Sequence, residues 1–412
     1  MQAEIVAVGS ELLGFDRVDT NSLFLTRELL RLGITVARKA ALPDDKEAVS
    51  EAIGAALQRS AVVICTGGLG LTEDDRTVAA AARALGCPLV RDAAAARGLR
   101  QWFHDRHRRF TAVQLRQALR LAPAVLLPNR VGTAPGQWWE KNGRRLVLLP
   151  GPPLELQAMF AAQVRPRLAR LVRGRAHAFR VLSIAGMGEE QVEAVAAPIY
   201  RGVRNPATTI LATAAPQVEL HFHAVAGARG AAQKKADALA RRIERRLGTA
   251  VFSRDQHSLA EVVAALLVKR GESLAVAESC TGGLLGERIT EVAGATAFFT
   301  GGVVSYADAV KQQVLGVPGA TLGRWGAVSA PTARAMAEGV RARLHSDWGI
   351  SITGIAGPAG GSMRRPVGTV YIAVAAPAAG ARATRYQFFG DRDRIRRFSA
   401  QTALNMLRLA LL

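Results

Sequence analysis

The chain has 412 residues, 49% of them hydrophobic, and its 54 Lys and Arg against 33 Asp and Glu give a net charge of +21. A chain of this length is too long to fold around one hydrophobic core, and it predicts two to four domains. The apolar runs are too short for a membrane span, and the three cysteines lack the spacing of a zinc site or a disulfide framework. The N-terminus resembles no signal peptide, which predicts a cytoplasmic protein.

The positive charge has two interpretations. An anionic partner such as nucleic acid would explain it. However, most of the charge is Arg spread over helix faces, and aromatic residues that would stack on single strands make up only 5%. We therefore favour an Arg-rich composition and expect no nucleic-acid partner, although anionic small substrates would benefit from the same field.

Residues 1–173 alternate strands, such as AEIVAVG and AVVICTGG, with helices, such as NSLFLTRELLRLG. This alternation predicts an α/β domain with a mainly parallel sheet, which binds ligands in loops at the carboxyl ends of its strands. One such loop is TGGLGLTEDD. The backbone amides of its glycines could bind a pyrophosphate. The carboxylates of Asp74 and Asp75 could either hold a divalent ion or cap the following helix. Glu11, Asp19 and Asn21 belong to another loop that we expect at the same edge.

The pattern changes at residues 174–255, where an alternating strand, QVELHFHAV, precedes a long amphipathic helix, AAQKKADALARRIERRLG. This segment predicts a small α+β unit. Residues 256–412 return to alternating strands and helices. The fold class that follows is α/β, with two α/β domains of mainly parallel sheets joined by a small α+β domain.

The segment AESCTGG holds three candidate nucleophiles in a row, Ser279, Cys280 and Thr281, at the predicted junction of a strand and a helix. Backbone N–H groups at a helix start suit an oxyanion or a phosphate, but a plain Ser/Thr helix cap fits as well. No well-placed histidine follows, so the remaining candidate base is Lys311 in SYADAVK. A solvated helix residue is the alternative for this lysine, and the spacing alone favours that alternative, whereas for AESCTGG the spacing leaves the site and the plain cap open.

Several motifs in order, among them GSELLG, TGGLGLTEDD, SIAGMGEEQVE, AESCTGGLL, GGVVSYADAVK, TGIAGPAGG and GDRDRIR, resemble the CinA family of competence- and damage-inducible proteins over essentially the whole chain. The resemblance implies a molybdopterin-binding-like domain at 1–173, a KH-like domain at 174–255 and an amidohydrolase domain at 256–412. It also implies deamidation of nicotinamide mononucleotide without a cofactor, and an ADP-ribose pyrophosphatase activity that requires a divalent metal ion.

The same resemblance implies roles for individual residues. In the C-terminal domain Ser279 is the nucleophile, and Lys311 is the base, with Tyr306 beside it. Thr281, Gly282 and Gly283 contribute to the oxyanion and substrate pocket. Thr353 and Gly357 contact the nucleotide, and Arg392 binds the 5′-phosphate. In the N-terminal domain they are nucleotide contacts and metal ligands: Glu11, Asn21, Gly67, Gly68, Gly70, Asp74 and Asp75. We expect nucleotides as partners, no membrane, and a homodimer. A nucleotide-binding regulator without turnover and a nucleic-acid-associated protein remain alternatives.

Overall fold

A computed structural model describes residues 1–14, 17–72, 74–172, 174, 176–213, 216–377 and 379–412. The chain forms two compact units, one of Met1–Ala178 with Val225–Ala232 and one of Phe179–Ala224 with Gln233–Leu412. The segment 174–255, expected as a separate middle domain, is therefore divided between the units, with most of it in the second. Within the described residues, none of the helices has the length and apolarity needed to cross a membrane.

The first unit alternates strands and helices, as the sequence predicts. Its elements are β1 Gln2–Val8, α1 Thr20–Arg31, β2 Thr35–Leu42, α2 Lys46–Arg59, β3 Val62–Thr66, α3 Thr77–Leu85, β4 Leu89–Arg91, α4 Ala93–Asp105, β5 Leu119–Leu121, β6 Val125–Leu127, β7 Gly136–Lys141, β8 Arg144–Leu149, α5 Pro153–Met159 and α6 Arg165–Leu171.

The main sheet of this unit has the strand order β2-β1-β3-β8-β7-β6. The first four strands are parallel, and β7 and β6 are antiparallel additions. Alternate residues of β1 belong to different apolar clusters, one around Ile53 and Leu146 and the other around Leu29 and Phe160. Because both faces of the sheet are covered, β3 is apolar from Val62 to Cys65 and buried at all its residues.

The following α+β segment contains a four-stranded sheet in the order β10-β11-β9-β12. Its elements are β9 Ala176–Ala185, α7 Glu189–Tyr200, β10 Ala207–Ala212, β11 Gln217–Ala226, α8 Arg229–Leu247 and β12 Val251–Ser253. Val218, Leu220, Phe222 and Ala224 alternate with more exposed residues along β11, so one face of this strand supplies the core.

The remaining elements form the predicted second α/β layer system. They are α9 Leu259–Arg270, β13 Leu274–Glu278, α10 Leu284–Thr290, β14 Phe299–Val304, α11 Asp308–Gln313, α12 Gly319–Trp325, α13 Ala330–Arg343, β15 Trp348–Gly354, β16 Thr369–Ala376, β17 Ala379–Gln387 and α14 Arg392–Leu411. The sheet order is β14-β13-β15-β16-β17, with the first three strands parallel and the last two antiparallel.

Helix α13 lies unusually close to this sheet and to the chain before α12. A Cβ atom at Gly349, near the start of β15, would lie 2.2 Å from the carbonyl oxygen of Ala337. A Cβ atom at Gly339 would lie 1.9 Å from the carbonyl oxygen of Leu315. The two glycines therefore permit a backbone approach that no larger residue allows.

Candidate functional site

The AESCTGG segment lies at the carboxyl edge of the second sheet. β13 ends at Glu278, and the amide of Ser279 still donates to the carbonyl of Ile352 on β15 at 2.9 Å. Because β13 lies between β14 and β15, the crevice at the ends of β13 and β15 is where such sheets bind ligands. Ser279 is 8% exposed, and its hydroxyl has no hydrogen-bond partner among the described residues.

A buried carboxylate, which the sequence analysis did not single out, organises the turn after Ser279. Glu278 is 2% exposed. Its Oε2 accepts the N–H groups of Gly283 at 3.0 Å and Leu285 at 3.1 Å, and its Oε1 accepts that of Gly286 at 2.8 Å. A carboxylate is stabilised there by these hydrogen bonds and by the helix dipole. The start of α10 is therefore occupied by an anion of the protein itself.

Two of the expected amide donors are consequently engaged. The Gly283 amide donates to the buried carboxylate, and the Gly282 amide donates to the Ser279 carbonyl at 3.2 Å. In this structure the amides of Gly282 and Gly283 are therefore not available as donors to an oxyanion. The amides of Cys280 and Thr281 have no backbone acceptor in the described part of the chain. They are the donors nearest in sequence to the nucleophile candidate, which suits stabilisation of an oxyanion.

Thr281 has a buried hydroxyl that lacks a partner. The residue is fully buried, and its Oγ1 has no hydrogen bond within the described residues. Its carbonyl accepts from Arg396 at 3.1 Å from Nε and 2.7 Å from Nη2. Since a buried unpaired hydroxyl is unfavourable, a ligand or water that bonds to it would stabilise this loop.

Lys311 is buried, with 1% of its surface exposed, so the alternative of a solvated helix residue is wrong. Its Nζ donates to the carbonyls of Ser305 at 2.9 Å and Tyr306 at 3.0 Å and lies 3.4 Å from Oδ1 of Asp308. Three acceptors match the three protons of an ammonium group. Within the described residues no hydrogen bond joins this amine to the Ser279 hydroxyl.

The end of β14 nevertheless brings Lys311 to the same sheet edge as Ser279. The Ser305 amide donates to the Glu278 carbonyl at 2.7 Å, which continues the parallel pairing of β14 with β13. The lysine amine donates a hydrogen bond to the carbonyl of that same Ser305. Nucleophile and base candidates therefore follow adjacent parallel strands.

Arg392, the first residue of α14, contacts two other predicted site residues. Its Nη1 donates to the Gly357 carbonyl at 2.7 Å, and its Nη2 lies 3.4 Å from the hydroxyl of Tyr306. Arg392 forms no ion pair with its neighbours Asp391 and Asp393 among the described residues, because Asp391 caps α14 and Asp393 pairs with a later arginine. Tyr306 is 63% exposed, so its phenol lies at the open side of the edge.

The other two side chains at this edge have narrower roles. Thr353 on β15 is buried, and its hydroxyl donates to the Ala327 carbonyl at 2.9 Å, so only its lone pairs remain for a ligand. Burial raises the pKa of the Cys280 thiol to about 12. Because the thiolate is the reactive form, this environment disfavours Cys280 as a nucleophile and favours Ser279.

The seven residues predicted for the N-terminal domain all line one cleft in the first unit. The cleft has a volume of about 780 Å³ and lies at the carboxyl ends of β1, β3 and β8. The seven are Glu11, Asn21, Gly67, Gly68, Gly70, Asp74 and Asp75. Its volume is typical of sites for small molecules and cofactors.

Asp75 stabilises the glycine loop instead of facing the cleft as a free carboxylate. Its Oδ1 accepts the Gly70 amide at 2.7 Å, and its Oδ2 accepts the Thr72 amide at 2.7 Å and hydroxyl at 2.6 Å. The interpretation of Asp75 as a metal ligand and of Gly70 as an amide donor to phosphate is therefore not supported, because these groups bond to each other. Asp74 is exposed and its side chain has no partner in the described chain.

Gly67 is required by the backbone conformation and close packing of this turn. Both Gly67 and Gly68 have positive φ, 96° and 65°. A Cβ atom at Gly67 would lie 2.0 Å from the carbonyl oxygen of Val8, and its amide donates to the Leu149 carbonyl at 3.0 Å. Close packing between the ends of β1, β3 and β8 thus requires glycine here, independent of any ligand.

Asn21 contributes an unpaired acceptor to the cleft wall. Its Nδ2 donates to the Gly151 carbonyl at 2.7 Å and to the Thr66 hydroxyl at 3.2 Å. Its Oδ1 is buried and unpaired among the described residues. A hydroxyl or amino group of a bound nucleotide would satisfy this oxygen.

The described residues do not build a metal centre by themselves. No group of three or more His, Cys, Asp and Glu side chains among them is arranged to hold an ion. Of the two predicted ligands, Asp75 does not fit, since both of its oxygens accept hydrogen bonds. Asp74 fits a Mg²⁺ ion bound mainly by substrate phosphates, which needs only one or two protein carboxylates.

Glu278 and Arg396 are the residues that sequence analysis missed. A signal for Glu278 exists, because a single acid ends the apolar strand SLAVAE directly before a glycine-rich helix start. A buried carboxylate needs donors, and orphan helix amides are the nearest ones. Arg396 lies four residues after Arg392, so both arginines lie on one side of α14.

Two family models match the chain: "CinA C-terminal domain" over residues 256–411 and "Probable molybdopterin binding domain" over residues 4–170. A CinA-like protein of Solibacter usitatus is 47% identical over 412 residues, which cover 99% of this chain and 98% of the relative. The chain belongs to the CinA family. A CinA-like protein of Acidobacterium capsulatum is 44% identical over 416 residues, with 100% of each chain covered. The family predicted from the motifs is thus confirmed.

Among solved structures, the competence/damage inducible protein CihA from Agrobacterium tumefaciens is 39% identical. The match covers 37% of this chain and 93% of that one, with a TM-score of 0.36. Membership of the CinA family, with a molybdopterin-binding-like domain at the N-terminus, does not by itself specify a substrate or a reaction.

Proposed function

We propose that this chain hydrolyses the carboxamide of nicotinamide mononucleotide to nicotinic acid mononucleotide and ammonia, with Ser279 as nucleophile. The observation that carries the proposal is the position of Ser279: its buried hydroxyl, unpaired among the described residues, follows the central parallel strand at the crevice between β13 and β15. The amides of Cys280 and Thr281, which have no backbone acceptor in the part of the chain that the structure describes, adjoin it, and two arginines approach the same loop. This set suits attack on a carbonyl carbon of an anionic substrate.

The reaction would proceed in two acyl-transfer steps. The Ser279 Oγ attacks the carboxamide carbon and gives its proton to a base, while the carbonyl oxygen becomes an oxyanion that accepts from the amides of Cys280 and Thr281. Collapse of this intermediate breaks the C–N bond, and the leaving nitrogen takes a proton as ammonia forms. Water then attacks the acyl-enzyme, which releases the carboxylate and returns a proton to Ser279.

Lys311 is the proposed base, because its amine is buried and bonded to Ser305 beside the nucleophile strand. To accept the proton, the amine must be neutral and must turn from its carbonyl acceptors towards Ser279. Lys311→Arg separates this role from a structural one, since arginine keeps the donors but cannot act as a base. We expect Lys311→Arg to be as inactive as Lys311→Ala. Substantial turnover by the arginine variant would assign Lys311 to holding the turn.

Arg392 is the proposed ligand of the 5′-phosphate. Within the described residues, two of its five N–H donors have acceptors, and both of those acceptors are predicted site groups, Gly357 and Tyr306. A planar guanidinium at an open edge suits bidentate binding of phosphate.

Ammonia release from nicotinamide mononucleotide by the purified protein tests the proposal. We expect Ser279→Ala to reduce kcat by about 10³-fold or more, because the nucleophile acts with its base as a unit. Cys280→Ala is the matched control one residue away and should retain activity. Wild-type activity in Ser279→Ala would reject Ser279 as the nucleophile. No activity in the wild type, despite a ligand-dependent rise in Tm, would reject hydrolysis and favour a binding protein without turnover.

We also propose that the cleft of the first unit binds ADP-ribose and hydrolyses its pyrophosphate. The specific observation in favour is its size of about 780 Å³ together with the unpaired buried oxygen of Asn21 on its wall. Asp74 would hold a divalent ion on the substrate phosphates, and when bound such an ion supplies charge neutralisation and an acidified water. Glu11 is a second carboxylate on the same wall.

The two activities are separable by mutation. We expect Asp74→Asn to reduce ADP-ribose hydrolysis, measured with and without a chelator, and to leave deamidation unchanged. Ser279→Ala should show the reverse pattern. Binding of ADP-ribose without any hydrolysis, in Mg²⁺ or Mn²⁺, would leave the cleft a binding site only. We further expect a homodimer, for which light scattering gives the mass.

A further inference from the structure

Helix α8 presents a row of cations to solvent that the proposed reactions do not use. We define the α8 basic face as the exposed residues Lys234, Lys235, Arg241, Arg242, Arg245 and Arg246. Steps of seven and four residues place them on one side of the helix. The opposite side, with Leu239, Ala240 and Ile243, is buried. From Lys234 to Arg246 the face extends about 18 Å at the helical rise of 1.5 Å per residue.

The acids of α8 do not neutralise this face with salt bridges. Asp237 pairs with Arg180 at 2.7 Å, and Glu244 pairs with Arg254 at 2.8 Å. None of the residues in the α8 basic face forms a salt bridge with another described residue. Arg242, Arg245 and Arg246 also line a groove of about 360 Å³ with Ile199 of α7. Asp237 and Glu244 lie near Arg241, but each is paired with an arginine outside α8, so the cations of this face outnumber the acids close to them. Such an excess of clustered cations is the footprint of a polyanion partner.

We propose that the α8 basic face binds the phosphate backbone of double-stranded DNA without sequence preference. α8 contains no aromatic residue, so it lacks the stacking platforms that bind single strands. The major groove of B-form DNA, about 12 Å wide, accepts a helix face, whereas the major groove of double-stranded RNA is too deep and narrow. The net charge alone did not decide for such a partner, because most of the charge is spread over many helices, whereas in α8 six exposed cations share one side of a single helix.

Fluorescence anisotropy with a labelled DNA duplex of about 20 base pairs, at salt between about 50 and 200 mM, tests the proposal. The variant is Arg242→Gln/Arg245→Gln/Arg246→Gln in the full chain. The matched control, Arg91→Gln/Arg97→Gln/Arg109→Gln, removes the same charge from exposed positions of the first unit. Circular dichroism and the deamidation rate verify that both proteins are folded.

We expect the α8 variant to bind the duplex at least about tenfold more weakly than wild type, and the control to bind within about twofold. The slope of log K against log salt should fall by about 2.7 for three lost phosphate contacts. An equal loss in the control would attribute binding to net charge and overturn the proposal. So would wild-type protein that ignores the duplex at low salt, that binds duplex RNA equally well, or that binds only phosphatidylserine vesicles.

Discussion

The two main sheets share the order and parallel direction of three neighbouring strands but present different turns to a ligand. In the first unit β1 lies between β2 and β3, and in the second β13 lies between β14 and β15. Each arrangement opens a crevice at the carboxyl ends of the central strands. In each, a pair of glycines with positive φ comes before a helix, Gly67–Gly68 in one and Gly282–Gly283 in the other.

The position of one acid makes these turns different. Glu278 precedes its glycine pair, is buried, and takes three amides around the start of α10, which leaves the amides of Cys280 and Thr281. Asp75 follows its glycine pair, takes amides of the loop itself, and leaves a wide cleft. A glycine-rich turn between strand and helix therefore does not by itself offer amides to a ligand. The capping acid decides which amides remain.

Among the variants that test this difference, those that remove the Glu278 carboxylate have the largest expected effect on stability and activity. Glu278→Ala leaves three amides without their acceptor, and since hydrogen bonds to charged groups contribute about 1.5–3 kcal/mol each, we expect a loss of at least about 4.5 kcal/mol in the free energy of unfolding and no deamidation. Urea titration measures the stability. Glu278→Gln, which keeps one oxygen acceptor, should lose about half as much. Unchanged stability in both variants would mean that the carboxylate does not hold the turn.

Arg392→Gln tests the nucleotide side of the second crevice. We expect KM for nicotinamide mononucleotide to rise about tenfold with little change in kcat, because a phosphate contact made equally in ground and transition states is lost. Turnover of nicotinamide riboside, which lacks the phosphate, is the control and should not change. A parallel loss with both substrates would assign Arg392 to positioning Gly357 and Tyr306 instead.

Asp75→Ala and Asp74→Ala compare the two acids of the first turn. Asp75 is partly exposed and accepts three hydrogen bonds, so we expect its removal to lower the free energy of unfolding by about 1–2 kcal/mol. Asp74→Ala should leave stability within about 0.5 kcal/mol, since exposed residues without partners contribute little, yet reduce ADP-ribose hydrolysis. The reverse pattern would restore Asp75 as the ligand. Thermal and urea unfolding with an ADP-ribose assay provide both readouts.

Cys280→Ala has the smallest expected effect. Removal of the buried sulfur should lower the free energy of unfolding by about 1 kcal/mol, through lost packing. Deamidation should continue with an unchanged pH–rate profile, because a thiol with a pKa of about 12 contributes no thiolate near neutral pH. A new or missing pKa in the profile of this variant would instead make Cys280 part of the chemistry.

The sequence predicts the layers of this fold well because apolar periodicity is local. The buried strands at β3 and β13 and the amphipathic helix α8 are each visible in a few residues. The loops that carry Glu11, Asn21 and Gly67 were expected at one edge, and they line one cleft because parallel strands end together.

The spacing of residues in the sequence does not predict which hydrogen bonds form in the folded chain. The sequence offers Asp75 and Gly283 as free groups, and only the folded turn pairs each with a neighbour. Burial of Lys311 likewise depends on the chain segment that follows β14 and cannot be read from SYADAVK, where an exposed helix residue fits as well. Long-range contacts such as that between Arg396 and the Thr281 carbonyl have no local signature.

The close approach of α13 to its sheet bears on how variants of this protein are interpreted. Alanine at Gly339 or Gly349 would drive a methyl group into a neighbouring carbonyl, and Gly349 lies at the opposite end of β15 from Thr353. A saturation mutagenesis screen should therefore flag both glycines as intolerant for purely steric reasons. Intolerance to substitution in this region is thus no guide to chemistry, and damaging alleles there would act by depleting folded protein in the cell.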